Sequence, residues 1–157
     1  MPRYPGITSD AFRHPLDLEA ELALRSLPGF DLIARKFLEF MVDRPQLIYN
    51  MGNSSQVGPR QYASVYQPYR ECLQSLDIYP EPALFVTQTP TVNAYTIGQE
   101  QPSVVLTSGA LDLLSEAELR AVIAHELGHF KCGHAILTQM AIWAIYAASM
   151  VGQFTLG

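Results

Sequence analysis

Charge is what this sequence has least of, and after Lys131 it has none. The ten basic and fifteen acidic residues all lie at or before that position, and 16% of the 157 residues are charged, against about 25% in an ordinary soluble domain. With 48% hydrophobic residues, the chain is no disordered one, and the low charge leaves room for an apolar interface or a membrane contact. The balance is acidic, with a net charge of −5 and a pI of about 5.2. A nucleic-acid partner needs a basic face, and none is visible. Cysteine is equally scarce. Cys72 and Cys132 are too few for a disulfide scaffold and read as reduced, buried thiols. Met1-Pro2-Arg3-Tyr4-Pro5-Gly6 lacks the apolar run of a signal peptide, so the start of the chain points to the cytoplasm. Asn53-Ser54-Ser55 matches a glycosylation sequon, which without secretion is a chance match.

The hydrophobic pattern predicts an α+β layout, with no internal repeat and no low-complexity tract. Residues 1–15 are Pro-rich and expected to be extended. One domain of helices around a small sheet is expected to fill 16–157. Helical spacing covers 16–27, and Asp31 can cap a second helix over about 31–42. Residues 50–59 read as a loop, and a third helix follows over about 60–76, with Tyr62, Tyr66 and Tyr69 on one face as packing residues. Then the period changes. Residues 83–87, 93–97 and 103–107 are short, β-rich runs, with turn residues at 98–102 making the last two a hairpin. A short helical turn is expected over 109–114.

The next helix carries the chemistry. Ser115-Glu116-Ala117-Glu118 is a capping box that starts it, and Gly133 is a natural stop after Lys131. Leu119, Val122, Ile123, Leu127 and Phe130 form one apolar stripe, into which Glu126 projects. A carboxylate there is costly unless it has a partner. His125 and His129 flank it one turn apart, so that His125-Glu126-Leu127-Gly128-His129 is an H-E-x-x-H motif. On a helix both imidazoles point the same way and can grip one Zn²⁺. Zinc makes water acidic near neutral pH, and Glu126 can take its proton and pass it to a leaving amine. Exposed polar residues with no metal are the plainer reading of five such residues, and the capped, amphipathic helix argues against it.

Asn93-Ala94-Tyr95, then residues 104–111 (Val-Val-Leu-Thr-Ser-Gly-Ala-Leu), then residues 118–129 ending in the H-E-x-x-H motif, resemble the HtpX and CAAX-prenyl-protease type of zinc metallopeptidases, which are gluzincins. The likeness is close over residues 80–136 and extends to 16–80 in layout. It implies a zincin-like fold, one zinc ion, a peptide or protein substrate, and an edge strand around 93–97 that pairs with the substrate backbone. Asn93, Ala94 and Tyr95 are then substrate-binding residues, or else residues that only shape the sheet edge. The resemblance further implies a third zinc ligand, a Glu on a downstream helix. No Asp or Glu follows Glu126, so the expected ligand lies beyond these residues and the domain reads as truncated. The metzincin pattern fails, because Ala135 and Cys132 stand where its third His and its Gly belong. His134, one residue short, reads as a satisfied polar group or as a support behind the ligands. Residues 135–157 carry no charge and are long enough to span a membrane, but Gln139 and Gln153 interrupt them, which favours a buried helix. Two functions follow: a zinc endopeptidase, and a non-catalytic binding or membrane-linked scaffold module of the same fold.

Overall fold

The computed structural model describes residues 2–26, 28–29, 32, 36, 44–98, 102–134 and 149. A 3₁₀ turn at Ser9–Ala11 leads into α1 (Pro15–Arg25). After it come α2 (Arg44–Asn53), β1 (Ser54–Gln56), α3 (Ala63–Leu76), β2 (Ala83–Thr87), β3 (Ala94–Ile97), β4 (Ser103–Thr107), α4 (Ser108–Leu113) and α5 (Glu116–Lys131). This is the α+β arrangement expected, with a four-stranded mixed sheet in the order β1-β2-β4-β3. β2 and β4 are parallel, and β1 and β3 close the two sides antiparallel. The hairpin expected from the turn residues is β3–β4, with Gly98 at φ +88° leaving the strand.

Two expectations need correction. Residues 50–59 are not all loop: α2 runs to Asn53, and Ser54–Gln56 pairs with β2. Ser-Ser-Gln has little strand preference of its own, and the strand exists because β2 offers it a partner. The helix expected from about residue 60 begins at Ala63, because Tyr62 sits in the left-handed region at φ +58°, after a tight Gly58–Gln61 turn. The helix expected over 31–42 lies mostly outside the described residues. So do residues 135–157, apart from Ser149. Among the described residues, no helix is long and apolar enough to cross a membrane.

The core sits between one sheet face and two helices. α3 contributes Val65, Tyr69, Cys72 and Leu73, and α5 contributes Leu119, Ile123 and Leu127, spaced by four residues so that they share one side. Leu84, Val86, Val104 and Leu106 meet them from the sheet, while Phe85 and Val105 alternate to the opposite face and are buried there too. Ile123 and Leu127 have no exposed surface, and each contributes about 1.5–3 kcal/mol by its burial. The tyrosines expected to pack do so unequally. Tyr69 is buried and donates its hydroxyl to the Pro82 carbonyl, Tyr66 packs against the core, and Tyr62 is 39% exposed.

Residues 2–6 run along the C-terminal end of α3. The Tyr4 N–H donates to the Ser75 carbonyl at 3.3 Å, the Ser75 hydroxyl to the Pro2 carbonyl at 2.7 Å, and the Gly6 N–H to Asp77 Oδ2 at 2.8 Å. Lys131, at the end of α5, donates to the carbonyls of Leu76 and Asp77, which fastens the end of α5 to the end of α3.

Candidate metal centre and substrate edge

α5 holds the motif because both of its ends are specified. Ser115 Oγ accepts from the Glu118 N–H, and Glu118 Oε2 accepts from the Ser115 N–H at 2.8 Å, which completes the reciprocal cap read from the sequence. At the other end the Gly133 N–H donates to the Phe130 carbonyl at 3.0 Å, and Gly133 takes φ +72°, a conformation glycine adopts without strain.

Between those ends, His125 and His129 lie one turn apart with ring centroids 4.4 Å apart. Their Nε2 atoms converge at 2.9 Å. Nitrogens about 2.0–2.1 Å from one tetrahedral zinc ion stand roughly 3.3 Å apart, so the pair fits that ion after a shift of a few tenths of an ångström. Among the described residues no group of three or more His, Cys, Asp and Glu is arranged to hold a metal, and these two imidazoles are the candidate donors. His125 is exposed and His129 half-buried. Burial first, and then the neighbouring His125, hold the His129 imidazole below the ordinary histidine range, which favours the neutral form a metal requires. Beside them opens a cavity of about 380 Å³, walled by Phe12, Asp17, Leu76, Ala124, Gly128 and Cys132.

Glu126 is half-buried, and its partner comes from the sheet. The hydroxyl of Thr96 in β3 lies 3.0 Å from the Glu126 carbonyl oxygen and 3.3 Å from Oε2 of its carboxylate. This answers the cost of placing an acid on the apolar side of α5. Sequence reading missed Thr96, although two-residue alternation puts it on the same face as Ala94, which packs against the core.

Among the described residues, β3 lies at one edge of the sheet. The Thr107 N–H donates to the Asn93 carbonyl at 3.1 Å, so Asn93 and Thr107 form a hydrogen-bonded pair. By antiparallel alternation Tyr95 and Ile97 also turn their main chain to β4, and Ala94 and Thr96 turn theirs outward. Of the three residues expected at the substrate edge, Ala94 therefore offers outward main-chain groups, while Asn93 and Tyr95 spend theirs on the sheet.

The strand is held by a knot that the sequence showed only as a motif. Thr107 Oγ1 accepts from the Asn93 N–H at 3.0 Å, and it contacts the carbonyl oxygens of Thr91 at 2.6 Å and Asn93 at 2.9 Å. Ser108 Oγ and the Gly109 N–H both reach the Thr89 carbonyl. Gly109 lies so close that a Cβ there would stand 2.2 Å from the Pro90 carbonyl oxygen. Thr107-Ser108-Gly109 thus fixes the segment that enters β3.

His134 stands behind His129, with Nδ1 facing Nδ1 at 2.8 Å, and its Nε2 is 2.5 Å from Asp17 Oδ2 in α1. Asp17 is a second residue that sequence reading missed, and a separation of 117 positions left no local signal of it.

Peptidase family M48 matches residues 59–156. The plastoglobule-localized metallopeptidase 48, chloroplastic, of Arabidopsis thaliana is 37% identical over 135 residues, covering 85% of this chain and 39% of that protein. A protease HtpX homolog of Polynucleobacter necessarius is 30% identical over 112 residues, covering 70% and 38% of the two chains. Another, of Dictyoglomus thermophilum, is 37% identical over 117 residues, covering 67% and 37%. The chain spans about two fifths of the length of these relatives. With the H-E-x-x-H helix inside the matched residues, the chain belongs to peptidase family M48, the family of the HtpX-like zinc metallopeptidases.

Proposed function

We propose that this chain supplies the catalytic helix and substrate edge of a zinc-dependent endopeptidase. The observation that carries the reading is the convergence of His125 and His129 Nε2 at 2.9 Å, next to a carboxylate already tied to the edge strand. His125 and His129 hold the metal. Zinc bound there supplies positive charge that polarises a carbonyl and acidifies water. Glu126 takes a proton from the attacking water and delivers it to the departing amine. Ala94 and Thr96 pair through their outward main-chain groups with an extended peptide, which orients its carbonyl toward the helix. Because Thr96 contacts Glu126, the residue that helps seat the substrate also sets the position of the base. Further metal donors come from outside the described residues.

Glu126→Gln tests this reading. The amide keeps the size of the side chain and cannot accept the proton, so peptide hydrolysis by the full-length protein falls at least about 100-fold, with zinc content by elemental analysis unchanged. Undiminished hydrolysis in that variant would remove Glu126 as the base. Zinc binding and peptide binding without hydrolysis in the unsubstituted protein would favour a non-catalytic module of the same fold.

A further inference from the structure

We propose that Asp17 and His134 are positioning residues for the zinc ligand His129, joined to it in a single directed hydrogen-bond chain from the N-terminal helix. The inference rests on the reading of His129 as a ligand through Nε2.

The placement of protons on the three side chains decides the direction of the chain. If His129 gives the lone pair of Nε2 to a metal, its proton must sit on Nδ1. Nδ1 faces His134 Nδ1 at 2.8 Å, so His134 must accept there with an unprotonated Nδ1. The proton of neutral His134 is then on Nε2, which points at Asp17 Oδ2 at 2.5 Å. A carboxylate only accepts, so every donor meets an acceptor and one tautomer of each ring satisfies the whole chain. The alternatives fail at a named atom. A His134 protonated on both nitrogens donates to His129 Nδ1, which moves the His129 proton to Nε2 and removes the metal lone pair. His134 as a direct ligand has no nitrogen to spare, since one meets His129 and the other meets Asp17.

The fold has the parts to hold this chain. The left-handed turn at Gly133 reverses the path after α5, so the next residue returns to His129. His134 and Asp17 are both partly buried, and Arg13 Nε bonds the same Asp17 oxygen at 2.5 Å, keeping the carboxylate in place and charged. Burial would raise Asp17, but hydrogen bonds from Arg13 and His134 outweigh it and hold Asp17 below the ordinary carboxylate range. A metal-bound histidine is oriented by whatever accepts from its second nitrogen, and loss of that partner weakens metal binding about 10–100-fold. Here the usual carboxylate acts through an intervening imidazole, so α1 and α5 share control of one ligand.

Zinc affinity of the full-length protein by chelator competition, together with the visible absorption of the Co²⁺ form, tests the proposal without recourse to activity. Asp17→Ala and His134→Ala weaken zinc binding about 10–100-fold and broaden the Co²⁺ bands. His134→Asn, whose amide oxygen comes near the site of Nδ1, stays within a few-fold of the unsubstituted protein. Ala20→Gly, at an exposed position of α1, loosens that helix without touching Asp17 or Arg13, and leaves affinity unchanged, which separates positioning from general loosening of α1. Asp17→Ala and His134→Ala proteins that bind zinc as tightly as the unsubstituted one, while His129→Ala loses it, would overturn the positioning role and leave His129 as a ligand. If His129→Ala also binds as the unsubstituted protein does, the ligand assignment itself falls, and the positioning role with it.

Discussion

Thr96 touches Glu126 twice, at its carbonyl oxygen and at its carboxylate. One short side chain thereby joins the edge strand to the motif helix. Thr96→Val keeps the shape and removes the hydroxyl. It lowers stability by about 0.5–1.5 kcal/mol, read by denaturant unfolding, and lowers kcat roughly tenfold through a displaced base. Zinc content stays the same. An unaltered kcat would show that the contact is structural only.

Gly109 has no room for a methyl group, because Pro90 and Thr91 present backbone atoms 2.2–2.6 Å from where its Cβ would stand. These are backbone atoms, which cannot swing away as the end of a side chain can. Gly109→Ala therefore costs about 1–3 kcal/mol or more, measured by chemical denaturation. Because the same contact sets the entrance to β3, peptide KM rises as well. A variant with unchanged stability would contradict the close approach.

The ion pairs of α1 give the fold an acid-sensitive element. Burial alone would raise the Glu21 carboxyl, but hydrogen bonds from Arg25 and Arg13 and their charges hold it below the ordinary carboxylate range. A folded-state value below the unfolded one contributes stability above the unfolded value, about 4.3 for Glu, and that contribution disappears as pH falls through the folded one. Thermal melts between about pH 6 and pH 3 should show a loss that Glu21→Gln reduces, with a cost of about 1 kcal/mol at neutral pH. Equal acid sensitivity in both proteins would refute the assignment.

Both cysteines should be silent in the native protein. Burial pushes the thiols of Cys72 and Cys132 up, away from the reactive thiolate, and their residues are 0% and 6% exposed. Iodoacetamide at neutral pH leaves both unmodified in the folded state and modifies both after denaturation, as mass spectrometry will read. Rapid native labelling of Cys72 would mean that the α3–α5 interface opens.

What the sequence revealed depends on how local each cause is. Ser115, Glu118 and Gly133 carry the ends of α5 within a few residues, so the helix and its two histidines were legible. The hairpin was legible for the same reason, from its turn residues and alternating strands. β1 was not, because Ser54–Gln56 is a strand only by virtue of β2. The left-handed Tyr62 was not, because its conformation belongs to the turn that precedes it. Asn93 and Tyr95 were chosen by motif, whereas the direction of their main chain depends on pairing with β4. Asp17 was beyond reach, since nothing near residue 17 announces a histidine 117 positions away.

The edge strand carries a liability along with its use. Ala94 and Thr96 turn main-chain donors and acceptors outward, and among the described residues no strand pairs with that side. Main-chain groups do not distinguish a peptide from the edge of a second copy of the same protein, and open edges are where folded chains begin to aggregate. The strand's brevity, four residues from Ala94 to Ile97, limits the danger: a stack begun there gains few hydrogen bonds, while a peptide gripped at the helix as well gains more. Self-association is thus held off by length, and any change that extends β3 would trade solubility for grip.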